Sequence, residues 1–326
     1  MTRLTCTIDT WPLASAFNIS RGAKTEALTV TATLTNGSHV GQGECVPYLR
    51  YGENVEGVAE TILSLGAEIE AGLTRTDLQL ALPPGAARNA LDCAFWDLEA
   101  KQAGQRIYER LRRSPPPPLT TAFSLSLDTP QKMAEAAAAA RHRPLLKVKL
   151  GGNGDEARIK AIRAAAPEAK LIIDANEGWT KDNLAENVAA MAAFGVTLIE
   201  QPLPADNHDA LRGFESPIPI CADEACHGIA SLAPLIGLYD AVNIKLDKTG
   251  GLTEALAMVR PARDMGFGIM IGCMVGTSLG MAPAMLLAEE HDIVDLDGPL
   301  WLKQDRKFGI SYEDSSMNFP TADLWG

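Results

Sequence analysis

The spacing of apolar positions changes character twice along the chain. From residue 3 to 45 apolar and polar residues alternate, as in Ala27 to Leu34, and Asn36-Gly37 is a hairpin signal, so two or three antiparallel strands are predicted. A polar excursion at Ile19 to Lys24 and a second loop at Pro47 to Glu53 interrupt the pattern. The period then becomes helical: one helix is predicted over Val55 to Ala71. Another follows the Pro83-Pro84-Gly85 break, from Ala86 to Gln102, with Ala90, Leu91, Ala94 and Leu98 on one stripe. Strands followed by helices describe a small α+β unit, and Pro115 to Pro118 form a stiff tether after it.

Beyond the tether, short apolar runs recur and each ends in a charge. Leu145 to Leu150 carries Lys147 and Lys149; Lys170 to Asp174, Val196 to Glu200, Ile218 to Asp223 and Ala241 to Lys245 follow at steps of 25, 26, 23 and 22 residues. One strand, one helix and two loops fill such a step, which is the period of a β/α barrel. Strand one is predicted at Leu119 to Leu127, a helix at Pro130 to Arg141, strand seven at Gly268 to Gly272 and strand eight at Ile293 to Leu296. The residues from Trp301 to Gly326 are too irregular for another repeat and are expected to return to the first domain. The predicted class is α/β, a modified TIM-type barrel of (β/α)7β form over 115–300, with an α+β domain over 1–114 joined by 301–326.

Strand side chains alternate faces, so Lys147 and Lys149 share one face of a run whose other residues are Leu and Val. Lysines in a buried strand require anionic partners, and Asp174, Glu200 and Asp223 stand at the ends of the next three strands. Charges at carboxyl ends of barrel strands lie where such barrels place their active sites. Three carboxylates suit a hard divalent cation such as Mg²⁺, one per subunit. Lys149 and Lys245 come from opposite sides of the barrel. A proton removed from one face of a substrate by one lysine could return to the other face from the second, inverting the stereocentre. A cation bound to the substrate carboxylate would stabilise the enediolate and, with Lys147, lower the pKa of Lys149. Asn176 and Glu224 read as supports behind the ligands, Met274 as a pocket wall, and Asp295 and Asp297 as two carboxylates on one face of the strand-eight end.

Composition narrows the partners. The chain has 326 residues, 46% hydrophobic and 21% charged, with net charge −12 and a sequence pI near 4.9. That balance argues against nucleic acid and anionic membrane surfaces. Six scattered cysteines without a close pair indicate neither a zinc site nor a disulfide framework. The first residues lack an apolar signal core, so a cytoplasmic protein is expected. Residues 265 to 288 are uncharged and carry glycines at GxxxG spacing, but Gly266, Gly268 and Pro283 favour a strand and loop over a membrane helix. Gly151 to Gly154 fits no phosphate-binding fingerprint and reads as an ordinary loop.

The series KVK, LIIDAN, LIEQPLP, CADE and NIKLDKTGG resembles the enolase superfamily, and its muconate-lactonising subgroup in particular. Superfamily members use a Lys or His base with Mg²⁺. ISRGAKTEA, PYLRYGE, GAARNALDCAFWDL and DLDGPLWL extend the resemblance along nearly the whole chain, toward the dipeptide epimerases. The resemblance implies that the α+β domain caps the barrel and that Asp295 and Asp297 hold a dipeptide ammonium. It places Lys24 where an arginine contacts a glutamate side chain, and Ser124 where a threonine is usual. The implied activity is epimerisation of a dipeptide at its C-terminal residue, L-Ala-D-Glu to L-Ala-L-Glu in murein peptide recycling. Alternatives are a muconate-type cycloisomerase, an o-succinylbenzoate synthase, or a Schiff-base barrel aldolase. The expected partner is a small dipeptide; a homo-oligomer is compatible with the sequence.

Overall fold

The computed structural model describes residues 1–289 and 292–326. The first domain is a three-stranded antiparallel sheet, Arg3–Ile19, Gly22–Asn36 and His39–Cys45 in that order, followed by helices. Ile19 lies opposite Gly22, so the polar excursion is the tip of a long hairpin and Lys24 belongs to its second strand. Val30, Ala32 and Leu34 pack against Ala90, Leu91, Ala94 and Leu98 of helix Ala86–Ala103, the stripe predicted from the sequence. A side chain at Gly41 or Gly43 would lie on the Ala94 and Ala90 carbonyls of that helix, so glycine permits the close approach. The helix predicted over 55–71 is split into Val55–Ser64 and Gly66–Glu70. Glycine at the junction lowers helix propensity there.

Eight parallel strands form the second domain in sequential order: Phe123–Leu125, Leu145–Lys149, Lys170–Asp174, Val196–Glu200, Ile220–Ala222, Ala241–Ile244, Gly268–Gly272 and Ile293–Asp295. The barrel closes where Thr121 bridges Val294 and Ala122 N–H donates to Val294 O at 2.8 Å. Strand one is shorter than expected because Leu119–Thr120 pairs instead with a hairpin of the tail, Tyr312–Glu313 and Ser316–Met317. The connection between strands four and five also departs from the expected repeat. It carries a 3-10 turn, Asp209–Leu211, in place of an α-helix, in a segment holding Pro202, Pro204, Pro217 and Pro219. The tail reaches the capping domain: Trp325 Nε1 donates to Cys93 O (3.1 Å) and Gly326 N to Asp97 Oδ1 (2.7 Å). Residues 265 to 288 form strand seven, a loop and helix Ser278–Ala284. Among the described residues no helix is long and apolar enough to cross a membrane.

The barrel interior is layered by strand alternation. Ala122, Leu145, Ile172, Leu198, Cys221, Ala241, Met270 and Ile293 make an apolar plug, one residue for each strand. Two positions further along, the same faces carry Ser124, Lys147, Asp174, Glu200, Asp223, Asn243, Gly272 and Asp295. Lys149, Lys245 and Asp297 lie a further step toward the mouth. Outward-facing Leu146, Val148, Ile173 and Ile199 pack beneath the surrounding helices. A polar cluster is thus fixed on a rigid hydrophobic base.

Candidate active site

Above that base lies a cavity of about 410 Å³, lined by barrel residues that include Ser124, Lys149, Asn176, Asp223, Glu224, Lys245, Met274, Asp295 and Asp297. Its roof comes from the hairpin tip (Arg21, Lys24) and from the second loop (Tyr48, Tyr51). Lys147 and Glu200 are buried in its floor, at 1% and 0% exposure, and Asp174 is equally enclosed.

Carboxylate atoms of Asp174, Glu200 and Asp223 all lie within 4.8 Å of one another. Lys147 binds the floor together, pairing with Glu200 Oε2 (2.6 Å), Asp295 Oδ2 (2.7 Å) and Asp174 Oδ2 (3.4 Å). Lys149 donates to Asp174 Oδ2 at 2.6 Å, and Lys245 to Asp223 Oδ2 at 2.7 Å. These two lysines stand on strands two and six, which are four strands apart either way around an eight-stranded barrel. They therefore face one another across the cavity.

The electrostatics follow from burial and partners. Burial and the charge of Asp174 push Glu200 up to about 7. Asp174, despite its burial, is held down to about 2 by Lys149 and Lys147. Burial works against Asp223 as well, but Lys245 and Lys248 hold it well below its ordinary range. Burial alone would lower Lys245, yet Asp223 and Glu200 raise it well above its ordinary value. The three carboxylates are hard oxygen donors held on strand ends, so the residues present fit a divalent cation.

At the strand-eight end, Asp297 Oδ2 accepts from Ser124 N (2.7 Å) and Trp301 Nε1 (3.3 Å). Burial and Asp295 raise Asp297 to about 6. Asp295 Oδ1 is buried and has no hydrogen-bond partner among the described residues. Two acceptors are thus held at one end of the cavity by donors that leave part of their capacity free.

The opposite end is cationic. Arg21 is committed: it donates to Asn176 O (2.9 Å), Glu177 Oε2 (3.0 Å), Glu224 Oε1 (2.6 Å) and Tyr48 OH (3.1 Å). Arg50 binds both oxygens of Glu177 at 2.8 Å. These contacts latch the capping loops to the barrel. Lys24 has no ion-pair or hydrogen-bond partner among the described residues, and its Nζ sits 5.0 Å above the Tyr48 ring. Its pKa is lowered by desolvation and by Arg21, although the side chain is open to solvent at the mouth.

Several contributors were not picked out from the sequence. Lys248 is fully buried and donates to Asp223 Oδ1, Asp223 O and Asn243 O. Asn243 donates to Glu200 Oε1 at 2.7 Å. Gln201 Oε1 accepts from the Asp223 and Ala225 amides, and its backbone has a positive φ, as do Asn176 and Glu177. Left-handed backbone at non-glycine residues is costly and clusters here at strand ends. Phe17 covers Lys149, with Nζ 5.8 Å from the ring centroid, and packs edge-on against Trp301. The spacing of Lys248 three residues after Lys245 in NIKLDKTGG was the one visible signal.

Residues 1–111 match the mandelate racemase / muconate lactonizing enzyme N-terminal domain, and residues 131–322 match the enolase C-terminal domain-like family. The chain is 46% identical to the L-Ala-D/L-Glu epimerase of Escherichia coli K12, over 95% of this chain and 97% of that one. It is 47% identical to the N-acetyl-D-glutamate racemase of a Pseudoalteromonas species, over 91% and 95%. Among solved structures, an Agrobacterium tumefaciens enolase family member with homology to dipeptide epimerases, containing sodium and L-Ala-L-Glu, superimposes with a TM-score of 0.99 at 52% identity over 100% of both chains. Opposed lysines, three strand-end carboxylates and a two-part capping roof thus coincide with full-length matches, and the chain belongs to the enolase superfamily, in its mandelate racemase and muconate-lactonizing branch.

Proposed function

We propose that the protein epimerises dipeptides at the α-carbon of the C-terminal residue, interconverting L-Ala-D-Glu and L-Ala-L-Glu in cytoplasmic recycling of murein peptides. The observation that carries this reading is the pair Lys149 and Lys245, opposed across one cavity. Binding alone does not call for two opposed bases. Asp174, Glu200 and Asp223 would hold a divalent cation, Mg²⁺ by the chemistry of the donor set, and when bound it supplies positive charge against the charge that develops on the substrate carboxylate. Lys149, as the neutral amine, takes the α-proton from one face and becomes the ammonium. Lys245, as the ammonium, gives a proton to the other face and becomes the amine; the roles exchange for the opposite antipode. Lys147 stays bound in the floor and keeps Asp295 and Glu200 in place. Met274 lines the cavity wall, and Asn176 and Glu224 hold the roof through Arg21.

Asp295 and Asp297 receive the dipeptide ammonium, and Ser124 orients Asp297 through its backbone amide. Lys24 receives an acidic side chain at the other end. A second reading, racemisation of an N-acylated glutamate, is favoured by the similarity to an N-acetyl-D-glutamate racemase. The two differ in the need for a free amine. Incubating the enzyme and Mg²⁺ with a dipeptide panel and with N-acetyl-glutamate in D₂O, and reading deuterium uptake by mass spectrometry, separates them. Rapid exchange of L-Ala-Glu with at least tenfold slower exchange of its N-acetyl form supports the dipeptide reading. Faster exchange of N-acetyl-glutamate overturns it.

A further inference from the structure

Each of the three clustered carboxylates has one oxygen pinned and one left toward the lysines. Asp174 Oδ1 accepts from Asn176 N–H at 2.9 Å. Glu200 Oε1 accepts from Asn243 Nδ2 at 2.7 Å. Asp223 Oδ1 accepts from Lys248 Nζ at 2.6 Å. The three remaining oxygens, Asp174 Oδ2, Glu200 Oε2 and Asp223 Oδ2, form their ion pairs with the ammonium groups of Lys147, Lys149 and Lys245. The pinning groups are themselves locked. The three hydrogens of Lys248 match three acceptors, Asp223 Oδ1, Asp223 O and Asn243 O, and the residue is 1% exposed, so it is neither a free base nor a mobile cation. Asn243 is fully buried, and a side chain at Gly272 would lie on its amide; glycine on strand seven leaves the room Asn243 occupies. The turn carrying Lys248 is gripped by the capping helix: Arg88 donates to Thr249 O (2.7 Å) and Asn89 to Asp247 Oδ1 (2.9 Å).

A carboxylate with one oxygen drawn to a buried donor is fixed in orientation and turns the other toward a metal, so donation through both oxygens is disfavoured. Calcium readily takes both oxygens of a carboxylate and six to eight ligands, whereas magnesium demands six in near-ideal octahedral array at shorter distance. We propose that Asn243 and Lys248 are positioning residues that confine Glu200 and Asp223 to single-oxygen donation, and so make the site select Mg²⁺ over Ca²⁺. The inference rests on the reading of the three carboxylates as a divalent-metal site. Neither residue belongs to the cavity lining. Their role is to remove the second oxygen from the coordination a larger ion would use.

Isothermal titration of the purified, metal-stripped protein with Mg²⁺ and, separately, Ca²⁺ tests this without reference to turnover. The wild type should bind Mg²⁺ at least as tightly as Ca²⁺. Asn243→Ala and Lys248→Met, each checked for native circular dichroism, should shift the ratio of the two dissociation constants toward Ca²⁺ by tenfold or more. A fall in affinity for both ions by the same factor would show that these residues only stabilise the fold, and would overturn the proposal. Wild-type protein that prefers Ca²⁺ would overturn it without any variant. Absence of binding by either ion would instead refute the metal reading beneath it.

Discussion

Replacing Lys24 by alanine should alter substrate preference while leaving the chemistry intact. The ammonium has no partner among the described residues, lies over the Tyr48 ring and belongs to the cavity lining. Arg21, the neighbouring cation, is occupied by Glu177, Glu224 and Tyr48. A charge-assisted hydrogen bond contributes about 1.5–3 kcal/mol where water is excluded. The mouth is open to solvent, so the lower end applies, and about 1.5 kcal/mol corresponds to roughly tenfold in kcat/KM. Lys24→Ala should therefore lower kcat/KM for L-Ala-L-Glu about tenfold and change that for L-Ala-L-Met less than about twofold, because the methionine side chain has no charge to lose. Lys24→Arg should recover or exceed the wild-type preference, since the guanidinium fork binds a carboxylate through two parallel bonds. The assay is initial rate by polarimetry or deuterium uptake on both dipeptides. Equal losses on the two substrates would refute the reasoning and would mean that Lys24 only shapes the hairpin.

Other expectations follow from the same geometry. Chelation should abolish turnover and Mg²⁺ restore it, and Asp174→Asn, Glu200→Gln or Asp223→Asn should each lose activity while circular dichroism stays native. Glu177→Gln removes the carboxylate that holds Arg50 and one of the four acceptors of Arg21 and should raise KM severalfold with kcat nearly kept; protease cleavage at the 47–53 loop should accelerate. Burial raises Asp247 to about 7, although Val46 N–H and Asn89 donate to it. A carboxyl raised on folding binds more protons folded than unfolded, so stability is lost as pH rises from about 4 to about 7 and is level above. Asp247→Asn keeps an acceptor for both donors, so urea titrations should show that slope flattened and stability at pH 8 raised by about 1–2 kcal/mol.

The fold was legible where period and burial act together. The barrel spacing and the carboxylates at strand ends are local facts of the chain, because an ionisable residue flush against a Val/Ile/Leu run can be read without neighbours. The stripe of helix Ala86–Ala103 is legible for the same reason. The missing helix between strands four and five was also written there, in four prolines, but the regular step length concealed it. Strand one was overextended because Leu119 and Thr120 have strand-like neighbours; their actual partner, Ser316–Met317, lies nearly two hundred residues away. Lys248, Asn243 and Gln201 escaped notice because their importance lies in contacts made after the barrel closes. The pairings with Glu177 and Glu224, which distinguish Arg21 from Lys24, are equally long-range. Local pattern placed the charges, and long-range packing decided which were free to act.

The central claim is that Lys149 and Lys245 serve opposite faces of one substrate. It is tested most directly by single-turnover and steady-state α-proton exchange in D₂O with Lys149→Ala and Lys245→Ala, each offered L-Ala-D-Glu and L-Ala-L-Glu separately. The account predicts that neither variant epimerises, that each still exchanges the α-proton of one antipode, and that the antipode differs between them. Exchange of the same antipode by both variants, or full epimerisation by either, would contradict it.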